Sequence, residues 1–368
     1  MKKRILRNIE WGILVCTVLL IIIGVIALFS STQNSDYDEL KKQIMWLAIS
    51  VPVMIVVILI DYEFFAKISP VFYGISIVLL IGVLFTEPIN GATSWYSIGP
   101  FTIQPAEFAK IAVVLFTADV IVKIQRKGKN EMNRFLKLSL IILTVAVPVL
   151  LIIKQPDYGT ALAFFFALIF MLFVAGVDKK YIITAILLVV IIVPVAYFFI
   201  LPEHAKTRID VYLNPDLDPR GAGYNIIQSK LAIGAGQILG MGLLKGNQTQ
   251  LGYLYPKTTD FIFAVIGEEM GFIVAGAVII LYVVLITKAI YVAKTAKNDL
   301  GSYIAAGIAG IFFFHMMENI GMTMGLLPIT GIPLPFVSYG GSSMLTNCIL
   351  IAILLNISGR RQKAMFRE

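Results

Sequence analysis

Apolar residues dominate this chain in ten long runs that are separated by shorter polar segments. The runs have 16 to 28 residues, and about 17 to 25 predominantly apolar residues are the length with which an α-helix spans the hydrocarbon core of a bilayer. The runs lie near residues 11–30, 43–60, 68–86, 105–122, 138–153, 160–177, 181–201, 260–287, 302–325 and 342–358. The pattern predicts an all-α, polytopic integral membrane protein with ten transmembrane helices.

The distribution of Lys and Arg predicts the orientation of these helices. With both termini placed in the cytoplasm, the inner segments carry 20 of the 30 Lys and Arg residues. Cytoplasmic segments of membrane proteins have such an excess. We therefore predict cytoplasmic termini and a large extracytoplasmic loop at about 202–259. No linker or repeat divides the sequence, so residues 1–368 are predicted to form one transmembrane domain.

The composition excludes several classes of protein. Hydrophobic residues make up 58% of the chain and charged residues only 14%, whereas about a quarter of the residues of soluble domains are charged. The net charge of +8 does not indicate a nucleic-acid partner, because the cations lie between apolar runs, where they set topology and contact anionic lipids. No glycine-rich phosphate loop is present, which argues against ATP hydrolysis. Cys16 and Cys348 lie inside apolar runs and are expected to be small core residues.

Ionisable side chains within a membrane span are energetically costly and often mark functional sites. Glu107 and Lys110 are three residues apart in the fourth run, so they share one helical face. They could form an ion pair that allows both charges to lie in the membrane, and Lys110 could also bind an anionic headgroup. His315 and Glu318 have the same spacing, but the chain has only two histidines, and no dedicated protein metal site is predicted.

Further candidates lie at or near the outer ends of the runs. Asp260 could cap a helix, or it could take a proton from a hydroxyl group at the membrane boundary. Asp157 precedes the sixth run, where helix capping is an equally good explanation. Trp95 could stack on a sugar or belong to the interfacial belt of aromatic residues. Glu268 and Glu269 lie deeper in the eighth run, and we expect at least one of them to hydrogen-bond neighbouring helices.

Four motifs resemble those of one bacterial family. The longest is RGAGYNIIQSKLAIGAGQILGMGLLKGNQTQLGYLYPKTTDFIFAVIGEE at 220–269, and the others are IGPFTIQPAEFAK, KQPDYGTAL and GIPLPFVSYGGSSML. Together they resemble the SEDS family of shape, elongation, division and sporulation proteins over nearly the whole chain. The loop sequence is more similar to the elongation members than to the division members, and a sporulation paralogue is the alternative.

The resemblance implies a function at the outer face of the bacterial cytoplasmic membrane. Proteins of this family polymerise lipid II into peptidoglycan glycan strands, with a class B penicillin-binding protein as the partner that supplies transpeptidase activity. Asp260 matches the essential aspartate of the family and would act as general base on the 4-hydroxyl of the acceptor GlcNAc. The hydroxyl would attack the anomeric carbon of the donor chain with inversion, and undecaprenyl diphosphate would leave.

The resemblance also implies which residues line the substrate cavity. Glu107 and Lys110 match the family pattern QPxExxK, and Asp157 matches QPDxGT. Lys110 could hold the diphosphate as a point charge, and a divalent cation, Mg²⁺ or Mn²⁺, could share that role. The expected substrate-binding residues are Trp95, Glu107, Lys110, Asp157, Arg208, Gln228, Lys230, Ser338 and Ser343.

Two other functions use the same features differently. A lipid II flippase would depend more on Glu107 and Lys110 than on Asp260, whereas a scaffold that only recruits the penicillin-binding protein would need none of them. The inner halves of the predicted spans are nearly free of charge, with Asp119 as the clearest exception. The sequence therefore favours chemistry at one face over a polar path across the membrane.

Overall fold

The computed structural model describes residues 8–88, 92–99, 101–181, 203–219 and 221–361, together with positions 183, 184, 187, 195 and 197–199. Helices form most of this part of the chain. In chain order they are α1 (Trp11–Ser31), α2 (Asp38–Leu59), α3 (Tyr62–Gly82), α4 (Pro105–Gln125), α5 (Phe135–Ile153), α6 (Tyr158–Ala175), α7 (Glu203–Leu213), α8 (Ala222–Ala235), α9 (Asn247–Gln250), α10 (Ile262–Thr295), α11 (Asp299–Thr323) and α12 (Gly341–Arg360).

Eight of the described helices are long and apolar enough to cross a membrane, namely α1, α2, α3, α5, α6, α10, α11 and α12. The prediction of an all-α, polytopic membrane protein is confirmed. Helix α4 is as long as α3 but carries four charged residues, Glu107, Lys110, Asp119 and Lys123. The seventh predicted span, 181–201, lies largely outside the described residues, so the count of ten spans and the orientation of the termini stay predictions.

Helices α11 and α12 form the centre of the bundle. Helix α11 has 72% of its most apolar stretch buried inside the protein, and α12 has 83%. Each of the other six spanning helices has 44% or less. Helix α11 packs against α6 and α10, and α12 packs against α2. Gly310 allows a close approach, because a Cβ there would lie 2.6 Å from the Phe166 carbonyl oxygen. The central helices therefore present their polar residues to protein and not to lipid.

The long loop that precedes α10, predicted to be extracytoplasmic, is folded back onto a break in α10. Gly271 has a φ of +76° there, and the backbone of the loop bonds to both sides of the break. Met241 N donates to Glu268 O at 2.9 Å, and Phe272 N donates to Gln237 O at 2.9 Å. Since each helical residue rises about 1.5 Å, the break lies roughly 14 Å along α10 from its start. Irregular backbone at membrane depth must be covered by protein, and these bonds supply that cover.

A short β-hairpin joins α3 to α4 and was not predicted. Strand β1 (Tyr96–Ile98) pairs antiparallel with β2 (Phe101–Ile103). Three residues a strand are too few for an alternating pattern to appear in the sequence. The hairpin carries Trp95 immediately before it and leads directly through Gln104 into α4, where Pro105 occupies the first turn.

We predict that Gly271→Ala destabilises the protein, whereas Gly276→Ala does not. An alanine at 271 would adopt a left-handed backbone at a cost of about 1–2 kcal/mol, and its Cβ would collide with the Gly240 nitrogen. Gly276 is in the same helix and has no atom within 4 Å of an added Cβ. Thermal unfolding of the purified variants in detergent measures the difference, and equal melting temperatures would contradict the role of the break.

Candidate active site

Asp260 lies in the turn that leads into α10, and its carboxylate does not cap that helix. Phe261 occupies the N-cap position, and no side-chain cap hydrogen bond is formed there. The capping explanation considered for Asp260 is therefore wrong. Its half-buried carboxylate instead accepts a hydrogen bond from the Thr259 side chain.

The backbone around Asp260 is fixed by two polar side chains from other elements. Asn319 Nδ2 donates to Asp260 O at 3.0 Å and to Ile332 O at 2.9 Å. Ser338 Oγ donates to Thr259 O at 2.7 Å and accepts from Leu334 N at 2.8 Å. Ser338 was expected to bind substrate, but its hydroxyl forms both of these hydrogen bonds with backbone groups and so positions the turn. The sequence does not indicate this role of Asn319, because its hydrogen-bond partners are distant along the chain.

Burial, with a smaller contribution from nearby Asp157, raises the pKa of Asp260 to about 6, although the Thr259 hydrogen bond and the Arg208 charge act in the opposite direction. The cause is the loss of water around a charge, which favours the neutral carboxyl. A carboxylate with this pKa is still mostly ionised near pH 7 and is more basic than an ordinary aspartate. Asp260 therefore has the properties of a general base.

Arg208 reaches this region from α7. Its Nη1 donates to Ile329 O at 3.4 Å and Thr330 O at 3.5 Å. The same segment passes Asp260, since a Cβ on Gly331 would lie 3.5 Å from Asp260 Oδ2. A cation and the candidate base therefore lie close together.

Asp157 both caps α6 and contacts α4. Its Oδ1 accepts from Thr160 N at 3.2 Å, and its Oδ2 accepts from Gln104 Nε2 at 2.7 Å. Burial raises its pKa, with a smaller contribution from Glu107, and Lys110 acts in the opposite direction. The capping explanation is confirmed, and the residue is also electrostatically coupled to the buried charges of α4.

Lys110 is fully buried in a cluster that joins α4 to α11. Its Nζ lies 2.9 Å from Glu107 Oε1, which confirms the ion pair, and 3.2 Å from His315 Nε2. His315 Nδ1 lies 3.1 Å from Pro333 O and donates to it, which leaves Nε2 to accept from Lys110. Glu107 Oε2 is buried without a hydrogen-bond partner among the described residues. Each charge is thus compensated inside the bundle, as a buried ion requires.

The remaining candidates are distributed more widely. Trp95 lines a cavity that also touches Thr259. Ser343 accepts from Asn347 Nδ2 at 3.0 Å within α12. Lys230 is exposed on α8, and its side chain passes so close to Gly325 that a Cβ added to Gly325 would collide with Lys230 Cε. Gln228 is half-buried on the same helix. The structure does not bring Ser343, Gln228 or Lys230 into hydrogen bonds with Asp260, and their binding roles stay predictions.

Glu268 and Glu269 hold the long loop that precedes α10. Glu268 accepts from Gln248 N at 2.7 Å and Thr249 N at 3.0 Å, and Glu269 accepts from Gln250 Nε2 at 2.8 Å. The predicted structural role is confirmed, although the partners come from the loop and α9 and not from a neighbouring spanning helix. These bonds fix the segment that leads into the Asp260 turn.

The described residues include no group of three His, Cys, Asp or Glu side chains placed to hold a metal ion. The side chains of the site therefore do not form a metal cage by themselves.

The fold and the site define a polytopic membrane protein with a candidate base at one end of the bundle and compensated charges beneath it. Over residues 10–363 the chain matches the family described as "Cell cycle protein", which comprises the FtsW, RodA and SpoVE proteins. The chain belongs to this family, and the resemblance seen in its motifs is confirmed.

Relatives with assigned names match over most of their length. The peptidoglycan glycosyltransferase MrdB of Escherichia coli K12 is 35% identical over 90% of this chain and 89% of its own. The stage V sporulation protein E of Bacillus subtilis is 35% identical over 94% of this chain and 96% of its own. A solved structure described as "Structural coordination of polymerization and crosslinking by a peptidoglycan synthase complex" has a TM-score of 0.81 and 25% identity, covering 95% of this chain and 97% of its own.

We predict that Lys110→Met strongly destabilises the protein, because it leaves Glu107 as an uncompensated buried charge. Breaking one partner of such a pair costs about 3–5 kcal/mol. Lys123→Met is the matched control, since Lys123 pairs with Asp119 on the same helix but is 59% exposed, and such pairs contribute about 0–1 kcal/mol.

Thermal unfolding in detergent measures both losses. The double variant Glu107→Gln/Lys110→Met should recover part of the stability, because it removes both charges together. Equal losses of stability for Lys110→Met and Lys123→Met would contradict the prediction that the buried ion pair contributes more than the exposed one.

Proposed function

We propose that this chain is a peptidoglycan glycosyltransferase that polymerises lipid II into glycan strands at the outer face of the bacterial cytoplasmic membrane. The observation that carries the proposal is Asp260, whose carboxylate is free of the helix cap, half-buried and raised in pKa to about 6. The nearby charge of Arg208 supports the proposal, because a cation can stabilise the negative charge that develops on a diphosphate leaving group.

In the proposed reaction, Asp260 takes the proton of the acceptor GlcNAc 4-hydroxyl. The oxygen attacks the anomeric carbon of the donor chain, the bond from that carbon to the phosphate oxygen breaks, and undecaprenyl diphosphate leaves with the electron pair. The configuration at the anomeric carbon inverts, because attack and departure occur on opposite sides. Asp260 then releases its proton to water.

Arg208 is the better-placed cation for the diphosphate. Lys110 is fully buried, and its ammonium is held by Glu107 and His315. Arg208 is half-buried, and its two bonds to backbone carbonyls, at 3.4 and 3.5 Å, are long. A guanidinium also offers a planar set of donors that suits phosphate oxygens. Lys110 would then act indirectly, by balancing the charges of Glu107 and Asp157.

We further propose that the chain acts in cell elongation with a class B penicillin-binding protein. The similarity of its outer loop to elongation proteins supports the first part, and the solved relative that belongs to a complex for polymerization and crosslinking supports the second. A flippase would place the essential charges along a path through the membrane. The described cluster of Asp260, Asp157, Arg208 and Lys110 lies towards one end of the bundle, which favours the glycosyltransferase.

We predict that Asp260→Asn abolishes polymerisation of lipid II by the purified protein with its partner, while wild type makes glycan strands. Loss of a general base lowers the rate by about 10²–10⁴-fold, and asparagine keeps the size of the side chain. Asp216→Asn, an exposed aspartate of the same outer loop, is the control and should retain full activity.

Strand length is measured on gels, with folding and partner binding verified for each variant. Equal polymer from wild type and Asp260→Asn would contradict the proposed base. No polymer from wild type, together with transfer of lipid II between leaflets of a vesicle, would support the flippase.

A further inference from the structure

A small cavity lies beside the Asp260 turn, and the proposed reaction does not use it. Its volume is about 90 Å³. The residues that line it come from α2, the β-hairpin, the Asp260 turn and the start of α12, and they are Trp46, Trp95, Phe101, Thr102, Thr259, Tyr339, Gly340 and Gly341. Because Thr259 also hydrogen-bonds Asp260, a group in this cavity would lie close to the candidate base.

The walls of the cavity combine aromatic faces with polar atoms. Trp46 and Phe101 meet edge to face, with ring centroids 6.0 Å apart and an interplanar angle of 83°. Thr102 and Thr259 are polar residues of this lining, and the two glycines contribute backbone atoms only. Such a lining suits a small group that has both a methyl and a polar amide.

The cavity is held rigidly on the side of α2. Gln43 Nε2 donates to Ser338 O at 3.1 Å, and Gln43 Oε1 accepts from Gly340 N at 3.1 Å. Gly341 leaves no spare room, since a Cβ there would collide with Trp46 Nε1. Both the size and the shape of the space therefore depend on Trp46 and its glycine neighbour.

The volume limits what can enter. One water-sized group needs about 10–15 Å³ of such a cavity, so the space holds roughly six to nine of them. A complete N-acetylhexosamine has more non-hydrogen atoms than this space can hold. An acetamido group has four, and its methyl and amide match the aromatic and polar walls.

We propose that this cavity binds the N-acetyl group of the acceptor GlcNAc and so makes the enzyme specific for N-acetylated sugar. The inference rests on the proposed glycosyltransferase function and deepens it. The acetyl methyl lies against Trp46 and Phe101, while the amide contacts the threonine hydroxyls and the backbone of the glycines. Seating this group would orient the 4-hydroxyl towards Asp260.

The test compares substrates that differ by one methylene. The protein and its partner are given lipid II with the natural N-acetyl group, or lipid II in which only the GlcNAc carries an N-propionyl group. One extra methylene in a fitted pocket changes kcat/KM by about 10–200-fold, so we expect wild type to prefer the N-acetyl substrate by about tenfold or more. Trp46→Phe enlarges the cavity and should bring this ratio towards one.

Trp11→Phe is the matched control, since Trp11 is 57% exposed on α1, and it should keep the wild-type ratio. Phe101→Leu enlarges the same cavity and serves if Trp46→Phe does not fold. A wild-type ratio near one, or an unchanged ratio in both cavity variants, would overturn the inference while leaving the glycosyltransferase intact. Failure of wild type to polymerise natural lipid II would overturn both.

Discussion

Burial of charge within an apolar bundle is the constraint on which this structure depends. Lys110 is fully buried, and it is tolerated because Glu107 and His315 lie within hydrogen-bonding distance. His315 in turn is oriented by the Pro333 carbonyl, which belongs to the segment that follows α11. An isolated ion there would be strongly destabilising, so α4, α11 and the 329–334 segment must pack together for the bundle to form.

The same packing positions the candidate base. Asn319 on α11 binds both Asp260 O and Ile332 O, so the segment that orients His315 is also tied to the Asp260 turn. From the other side, Glu268 and Glu269 bind α9. The base is therefore held by rigid elements, although it lies on a turn, and a fixed geometry of this kind is what a positioned proton acceptor needs.

The sequence predicts the parts of this arrangement that depend on local periodicity. The long apolar runs predict the described spanning helices, and the three-residue spacing of Glu107 and Lys110 predicts their ion pair. Contacts between distant segments have no such signal. The His315 contact with Lys110 spans 205 residues, and the bonds of Asn319 and the fold of the loop onto Gly271 depend on tertiary packing. Trp46 was missed for the same reason, since only the packing of α2 against α12 brings it to the site.

The pH dependence of glycosyl transfer tests the central claim, that a partly buried Asp260 acts as the base, most directly. Only the ionised carboxylate accepts a proton, so kcat/KM for lipid II should be level above the pKa of about 6 and fall about tenfold for each pH unit below it. In Arg208→Gln the inflection should move to higher pH, because the cation that favours the ionised form has been removed. A profile that is flat from pH 5 to 8, or an inflection near 4 in both proteins, would contradict the account.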